Sequence, residues 1–87
     1  MKSFNYTITD EIGIHARPAG LLVKEASKFR SLIKITNLTN DKSTEANKLF
    51  GVMGLCVKKN DSVNISINGE DEEDAYVAMK NFFQNNL

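Results

Sequence analysis

Three short stretches of the chain alternate apolar and polar residues with a period of two, which is typical of strands that bury only one face. A weaker candidate strand is "KSTEA", which follows the turn residues of "NLTND" and so indicates a hairpin. The pattern predicts an antiparallel or mixed sheet with one face open to water and helices on the other. The alternating apolar positions are Phe4, Tyr6 and Ile8, then Ile33 and Ile35, then Val63, Ile65 and Ile67.

Between these strands the apolar spacing changes to that of helices. An amphipathic helix is predicted from Pro18 to Phe29, and Pro18 marks its start because proline lacks an N–H. The segment "LFGVMGLC" predicts a short helix, and the acids of "EDEED" favour the first turn of a last helix. The predicted order is strand, helix, strand, strand, short helix, strand, helix. The predicted buried stripes are Ala19, Leu22, Val23, Ala26 and Phe29, and Ala75, Ala78, Met79 and Phe82.

Length and charge narrow the possible partners. The chain has 87 residues, so we expect a single domain over 1–87. Its eleven basic and eleven acidic residues balance, which argues against nucleic acid and membrane surfaces as partners. No export signal or run of roughly 20 apolar residues is visible, so a cytoplasmic location is expected. The only cysteine, Cys56, lies in an apolar run and is expected to be buried in a reducing compartment.

The stretch "GIHARPA" holds the only His and the only Pro of the chain. His15 precedes the predicted helix start, where free N–H groups and the positive end of the helix dipole favour an anion. Gly13 allows a tight approach, and Arg17 adds a planar donor group that suits phosphate oxygens. A neutral imidazole is a nucleophile near neutral pH. The stretch therefore predicts that a phosphoryl group is attached to His15, stabilised and passed on.

Two other interpretations of this histidine compete with phosphoryl transfer. A lone His ahead of a helix is more often a cap or a surface residue, and spacing alone leaves that alternative open. A metal site is disfavoured, because there is no second His and Cys56 lies about forty residues away in an apolar run. Arg17 would also repel a cation.

Several apolar residues occupy positions that should face solvent. Leu21 shares a helix face with charged residues. Six of the eight residues in "LFGVMGLC" are apolar, although a short helix buries only one face. An inward set of Val52, Leu55 and Cys56 leaves Leu49, Phe50 and Met53 for a partner-binding patch. The alternative, in which the whole run is core, stays open.

Taken together, these segments resemble the HPr family, the histidine-containing phosphocarrier proteins of the bacterial phosphoenolpyruvate-dependent sugar phosphotransferase system. "GIHARPA" fits the family's active-site pattern, "LFGVMGL" resembles its second signature region, and "INGEDEEDA" resembles the segment that enters its last helix. The resemblance spans essentially the whole chain. It implies an α+β fold of the βαββαβα type, an open-faced β-sandwich with a four-stranded antiparallel sheet and three helices on one face.

The resemblance also implies a phosphotransfer cycle and no cofactor. His15 accepts a phosphoryl group from phosphorylated enzyme I, on the ring nitrogen nearer the backbone, and passes it to the IIA domains of sugar permeases. Ala16 and Arg17 hold the phosphate. A carrier of this kind is expected to be a monomer without a metal ion, and it is not an enzyme with its own turnover. The surface implied for both partners, called the docking patch below, comprises Leu21, Lys24, Lys48, Leu49, Phe50 and Met53.

The sequence departs from the family pattern at two places. Family members often have a small polar residue that helps to order the active-site loop where this chain has Ile12. The regulatory serine of many Gram-positive relatives aligns with Lys48, and Ser43 and Thr44 do not align with it because the preceding hairpin is about two residues longer. We therefore predict that the serine switch is absent.

Two further functions stay open as alternatives. The chain could be an HPr-like regulatory docking module, although pure docking needs neither His15 nor Arg17. It could also be a phosphocarrier of the nitrogen-related branch, which shares the chemistry but not the downstream IIA.

Overall fold

A computed structural model describes all 87 residues, and its elements follow the predicted order. The strands are β1 (Lys2–Thr7), β2 (Leu32–Asn37), β3 (Lys42–Glu45) and β4 (Ser62–Asn68). The helices are α1 (Ala16–Ala26), α2 (Leu49–Gly54) and α3 (Glu72–Asn86). The strands form one antiparallel sheet in the order β1-β4-β2-β3. The predicted fold class, including the weak strand after the hairpin, is confirmed.

The register of the sheet follows from the alternation in the sequence. Ile65 on the central strand β4 lies between Phe4 on β1 and Ile35 on β2, so the apolar residues share one face. On the opposite face the amide of Asn64 donates a hydrogen bond of 2.8 Å to Asn5. One face of the sheet therefore packs on the helices, and the other presents polar side chains to solvent.

The buried stripes of the helices match the prediction in part. Helix α1 buries Ala19, Leu22 and Ala26 as expected. Helix α3 buries Ala75 and Met79 but also Phe83, whereas the predicted Ala78 and Phe82 are only half-buried. Phe83 lies edge-on to Phe4, Tyr6 and Phe82, so the aromatic side chains of β1 determine which residue of α3 points inward.

Helix α1 begins and ends earlier than predicted. Its first residue is Ala16, with His15 at the N-cap, and Pro18 occupies the third helical position instead of the first. Proline fits there as well, because the third N–H of a helix has no intrahelical partner. The helix ends at Ala26, and Phe29, predicted to lie within it, follows the turn at residues 27 and 28 and packs against the core.

The prediction that Cys56 is buried is wrong. Helix α2 buries Val52, and Leu55 behind it is also buried, but Cys56 is exposed. Its φ of +54° puts the backbone in the left-handed region, where the chain turns after the helix. The side chain of Cys56 therefore points outward, and Val57 returns to the core.

None of the three helices combines the length and the hydrophobicity that crossing a bilayer requires.

Candidate functional site

The backbone ahead of α1 is fixed before the helix begins. Gly13 has a φ of +82°, and a Cβ atom placed on it would lie 2.3 Å from the backbone oxygen of Val57. The next N–H, of Ile14, donates a hydrogen bond of 3.1 Å to the same oxygen. Only glycine permits this close approach, so the loop holds His15 at the mouth of α1.

The first turn of α1 has donors without acceptors. The first helical hydrogen bond runs from the N–H of Ala19 to the oxygen of His15, at 3.0 Å. The N–H groups of Ala16 and Arg17 have no hydrogen-bond partner, and Pro18 has no N–H. The turn contains no acidic residue, and the side chain of His15 does not cap the helix. Two donors and the positive end of the helix dipole are therefore available to an anion.

His15 and Arg17 line one open cleft of about 270 Å³. The imidazole of His15 is half-buried and makes no side-chain hydrogen bond, and the guanidinium of Arg17 is exposed. Arg17 takes part in none of the four ion pairs of the molecule. An imidazole and a free guanidinium thus share a space that is large enough for a phosphoryl group. The residues that line the cleft are Asp10, His15, Arg17, Pro18, Leu21, Asn85 and Asn86.

Sequence reasoning missed three of these residues. Asp10 lies five positions before His15, and the sequence motif begins only at Gly13. Asn85 and Asn86 come from the last turn of α3, about seventy positions away. The backbone oxygen of Leu87 accepts the N–H groups of Thr9, at 2.7 Å, and Asp10, at 2.9 Å, which brings the end of α3 to the loop. No signal in the local sequence indicates this contact.

The docking patch lies on α1 and α2, which pack against each other. Phe50 is 84% exposed, and Leu21, Leu49 and Met53 are each more than a third exposed. The interpretation in which the whole "LFGVMGLC" run is core is therefore wrong. Lys24 is exposed on α1, and Lys48 is the N-cap of α2. The patch combines apolar side chains with two ammonium groups.

The shifted pKa values of the molecule belong to the start of α3. The hydroxyl of Ser31 donates to the carboxylate of Asp71, and this bond, with the N–H of Arg30, lowers the pKa of Asp71. The N–H of Gly69 and the N-terminal ammonium lower the pKa of Glu72. Each carboxylate is thus stabilised in its charged form by donors of the protein itself.

The structure shows no group of three or more His, Cys, Asp and Glu side chains that could hold a metal ion.

Comparisons with known proteins assign a family to this fold and site. Residues 2–85 match the family model described as PTS HPr component phosphorylation site. The phosphocarrier protein HPr of Mycoplasma genitalium is 41% identical over 88 residues, which cover 99% of this chain and 97% of the relative. The solved structure of the histidine-containing phosphocarrier protein from Mycoplasma superposes with a TM-score of 0.91, at 37% identity, covering 97% of this chain and 93% of that one. HPr of Thermoanaerobacter tengcongensis gives a TM-score of 0.90, at 36% identity, covering 98% and 93%. This chain therefore belongs to the HPr family, the phosphocarrier proteins of the phosphotransferase system.

Proposed function

We propose that His15 carries the phosphoryl group transiently, as a phosphohistidine, between phosphorylated enzyme I and the IIA domains of sugar permeases. The observation that carries this assignment is the half-buried imidazole of His15 at a helix mouth that has two unpartnered N–H groups, those of Ala16 and Arg17. The chain contains no other histidine.

The transfer requires a ring nitrogen with a free lone pair. In the neutral imidazole, the lone pair of Nδ1 forms the new P–N bond while the bond between phosphorus and the donor breaks, and the donor keeps that electron pair. The proton on Nε2 stays on the ring. The phosphoryl oxygens bring negative charge into the cleft, where the guanidinium of Arg17 and the N–H groups of Ala16 and Arg17 offset it. No cofactor takes part in this step.

The docking patch supplies the contact with both partners. Phe50 and Met53 present apolar surface, and Lys24 and Lys48 present positive charge that steers an acidic partner surface. Methionine adapts to partners of different shape, which suits a carrier that binds enzyme I and IIA through one surface. Phe50→Ala is expected to raise the KM for phosphorylation by enzyme I. Val77, 58% exposed on α3 and outside the patch, provides the matched control, Val77→Ala.

We infer that residues 1–87 act as one monomeric, cytoplasmic HPr-like domain. Its single core of 18 buried residues draws on all three helices, and the exposed thiol of Cys56 suits a reducing compartment. Sedimentation of the purified protein tests the monomer.

The deciding experiment mixes the protein with phosphoenolpyruvate and enzyme I. The expected product carries one additional phosphoryl group that is acid-labile, is lost on addition of a IIA domain, and is absent in His15→Ala. No label on the wild-type protein would favour the alternative, a regulatory docking module. Label that reaches only a IIA domain of the nitrogen-related branch would identify the nitrogen-branch carrier.

We also infer that the ATP-dependent serine switch is absent. Lys48 stands at the N-cap of α2 and places a permanent positive charge where a phosphoserine would place up to two negative charges. Incubation with a Gram-positive HPr kinase and ATP is expected to leave the protein unmodified, while Lys48→Ser offers the kinase an acceptor. Stoichiometric modification of a Ser or Thr in the wild-type protein would contradict this inference.

A further inference from the structure

Asp10 takes part in three hydrogen bonds in the loop ahead of α1. Its N–H donates a hydrogen bond of 2.9 Å to the backbone oxygen of Leu87, and its own backbone oxygen accepts the N–H of Gly13 at 3.2 Å. Its side-chain Oδ2 accepts the N–H of Ile12 at 3.1 Å. The side chain thereby closes a turn over the following two residues, the role for which Asp and Asn are favoured in loops.

The position of the His15 ring depends on this loop backbone. The imidazole makes no hydrogen bond of its own, so its placement depends on the main chain that carries it. After His15, the N–H of Ala19 donates a hydrogen bond to the backbone oxygen of His15. Before His15, the N–H of Ile14 donates one to the backbone oxygen of Val57. Before Gly13, the turn at Asp10 is the restraint that lies within the loop itself, whereas the bonds to Leu87 and the ion pair of Glu11 with Lys59 tie the loop to distant segments. Ile12 is 66% exposed, and its apolar side chain accepts no hydrogen bond.

We propose that Asp10 is a positioning residue for His15, which acts through the N–H of Ile12. This inference rests on the proposed function of His15. The side chain of Asp10 lines the same cleft as His15 and Arg17, but forms no ion pair with Arg17. Its role is to order the turn that delivers the imidazole to the mouth of α1, and the hydrogen-bond acceptor, not the charge, carries that role.

Three variants separate the contribution of the Asp10 side chain as a hydrogen-bond acceptor from that of its negative charge. Asp10→Asn keeps an oxygen that accepts the N–H of Ile12 and removes the charge. Asp10→Ala removes both. Glu11→Gln is the matched control, because Glu11 is the next residue of the same loop and pairs with Lys59 at 2.7 Å, so its charge is lost without a change in the turn.

In phosphorylation by enzyme I, we expect kcat to change in one variant while KM stays nearly the same. Asp10→Ala lowers kcat by about tenfold, as expected for the loss of one hydrogen bond to a charged group, and leaves KM nearly unchanged because the docking patch is intact. Asp10→Asn and Glu11→Gln retain the kcat of the wild-type protein. Amide hydrogen exchange of Ile12, measured by NMR without phosphorylation, accelerates in Asp10→Ala only.

Two results would overturn the inference. One is unchanged exchange at Ile12 in Asp10→Ala, and the other is a kcat in Asp10→Asn as low as in Asp10→Ala, which would assign the effect to the charge. If the wild-type protein accepts no phosphoryl group, the proposed function fails, and the exchange at Ile12 still decides whether Asp10 holds the loop.

Discussion

The mouths of helices α1 and α3 are two helix N-termini in one small fold, and they are built in opposite ways. At α3, three acidic residues occupy the first turn, and the N-cap Asp71 binds the N–H groups of Arg30 and Ser31, each at 2.9 Å. At α1, the first turn has no acid and two N–H groups without partners. Helix α3 offsets its dipole with its own carboxylates, whereas α1 leaves its positive end available to an incoming anion.

In this fold the exposed helix dipole at α1 is held in place by the backbone that precedes it. The α1 mouth gains no stability from a cap, so its position comes from Gly13, Ile14 and the turn at Asp10. At the α3 mouth, the carboxylate of Asp71 binds the backbone that follows α1. This contact ties α3 to that segment and so contributes to the stability of the fold. The proposed phosphoryl site and this stabilising contact therefore lie at different helix ends.

The largest effect is expected from a substitution that removes a donor from the anion site at α1, and it concerns the rate of phosphorylation. Arg17→Ala is expected to lower the rate of phosphorylation of His15 by roughly 10²–10³-fold, since the guanidinium donor to the developing negative charge is lost. Its thermal stability should stay close to that of the wild-type protein, because Arg17 is exposed and unpaired. Rapid-quench phosphorylation assays and thermal unfolding measure the two effects.

The matched control for this variant is the other arginine of the chain. Arg30 is 84% exposed in its side chain and faces Glu70 across 3.4 Å, at the mouth of α3. The Arg30→Ala variant should be phosphorylated at the same rate as the wild-type protein. An equal loss of rate in both variants would mean that overall charge, and not the geometry of the α1 mouth, supports the transfer.

The next effect concerns the support of the α1 mouth. Gly13→Ala is expected to destabilise the fold by about 2–4 kcal/mol, because the added Cβ meets the Val57 oxygen at a positive φ. Gly20→Ala, within α1 and with no atom inside 4 Å of the added Cβ, should instead stabilise it by about 0.5–1 kcal/mol. Urea unfolding of both variants tests the contrast, and a Gly13→Ala protein as stable as the wild type would show that the loop is not held as described.

The smallest effect is a pH dependence located at α3. The pKa values of Asp71 and Glu72 are lowered in the folded state, first by the hydroxyl of Ser31 and by the N–H of Gly69, respectively. Their contribution to stability is complete above the unfolded pKa values of about 4 and is lost as the pH falls through the folded values. Asp71→Asn should therefore lower the melting temperature by several degrees at pH 7, and the difference should shrink below about pH 4.

Glu73→Gln is the control for this pH effect, since Glu73 lies in the same turn, is exposed and makes no hydrogen bond. Melting temperatures between pH 3 and pH 7 should be nearly the same in Glu73→Gln and the wild-type protein. A difference between Asp71→Asn and wild type that grows as the pH falls would contradict the sign of the shift.

How far the sequence predicts this molecule depends on the range of the interaction involved. Period-two alternation determined which face of each strand is buried, because successive side chains of a strand point to opposite sides. Helical spacing determined most of the α1 stripe in the same way. The inward position of Phe83 in place of Phe82 was not predictable, because it depends on the aromatic side chains of β1 that meet α3 only in the folded protein.

The sequence by itself determined that His15 and Arg17 share a helix mouth, since the motif is local and a helix start has a fixed set of free N–H groups. Only the tertiary structure decided that Asp10, Asn85 and Asn86 complete the cleft, that Cys56 points outward, and that Asp71 closes the other mouth. The physical reason is that periodicity records which side of an element avoids water. It carries no information about which distant residues meet there, or about the sign of φ that a loop residue adopts.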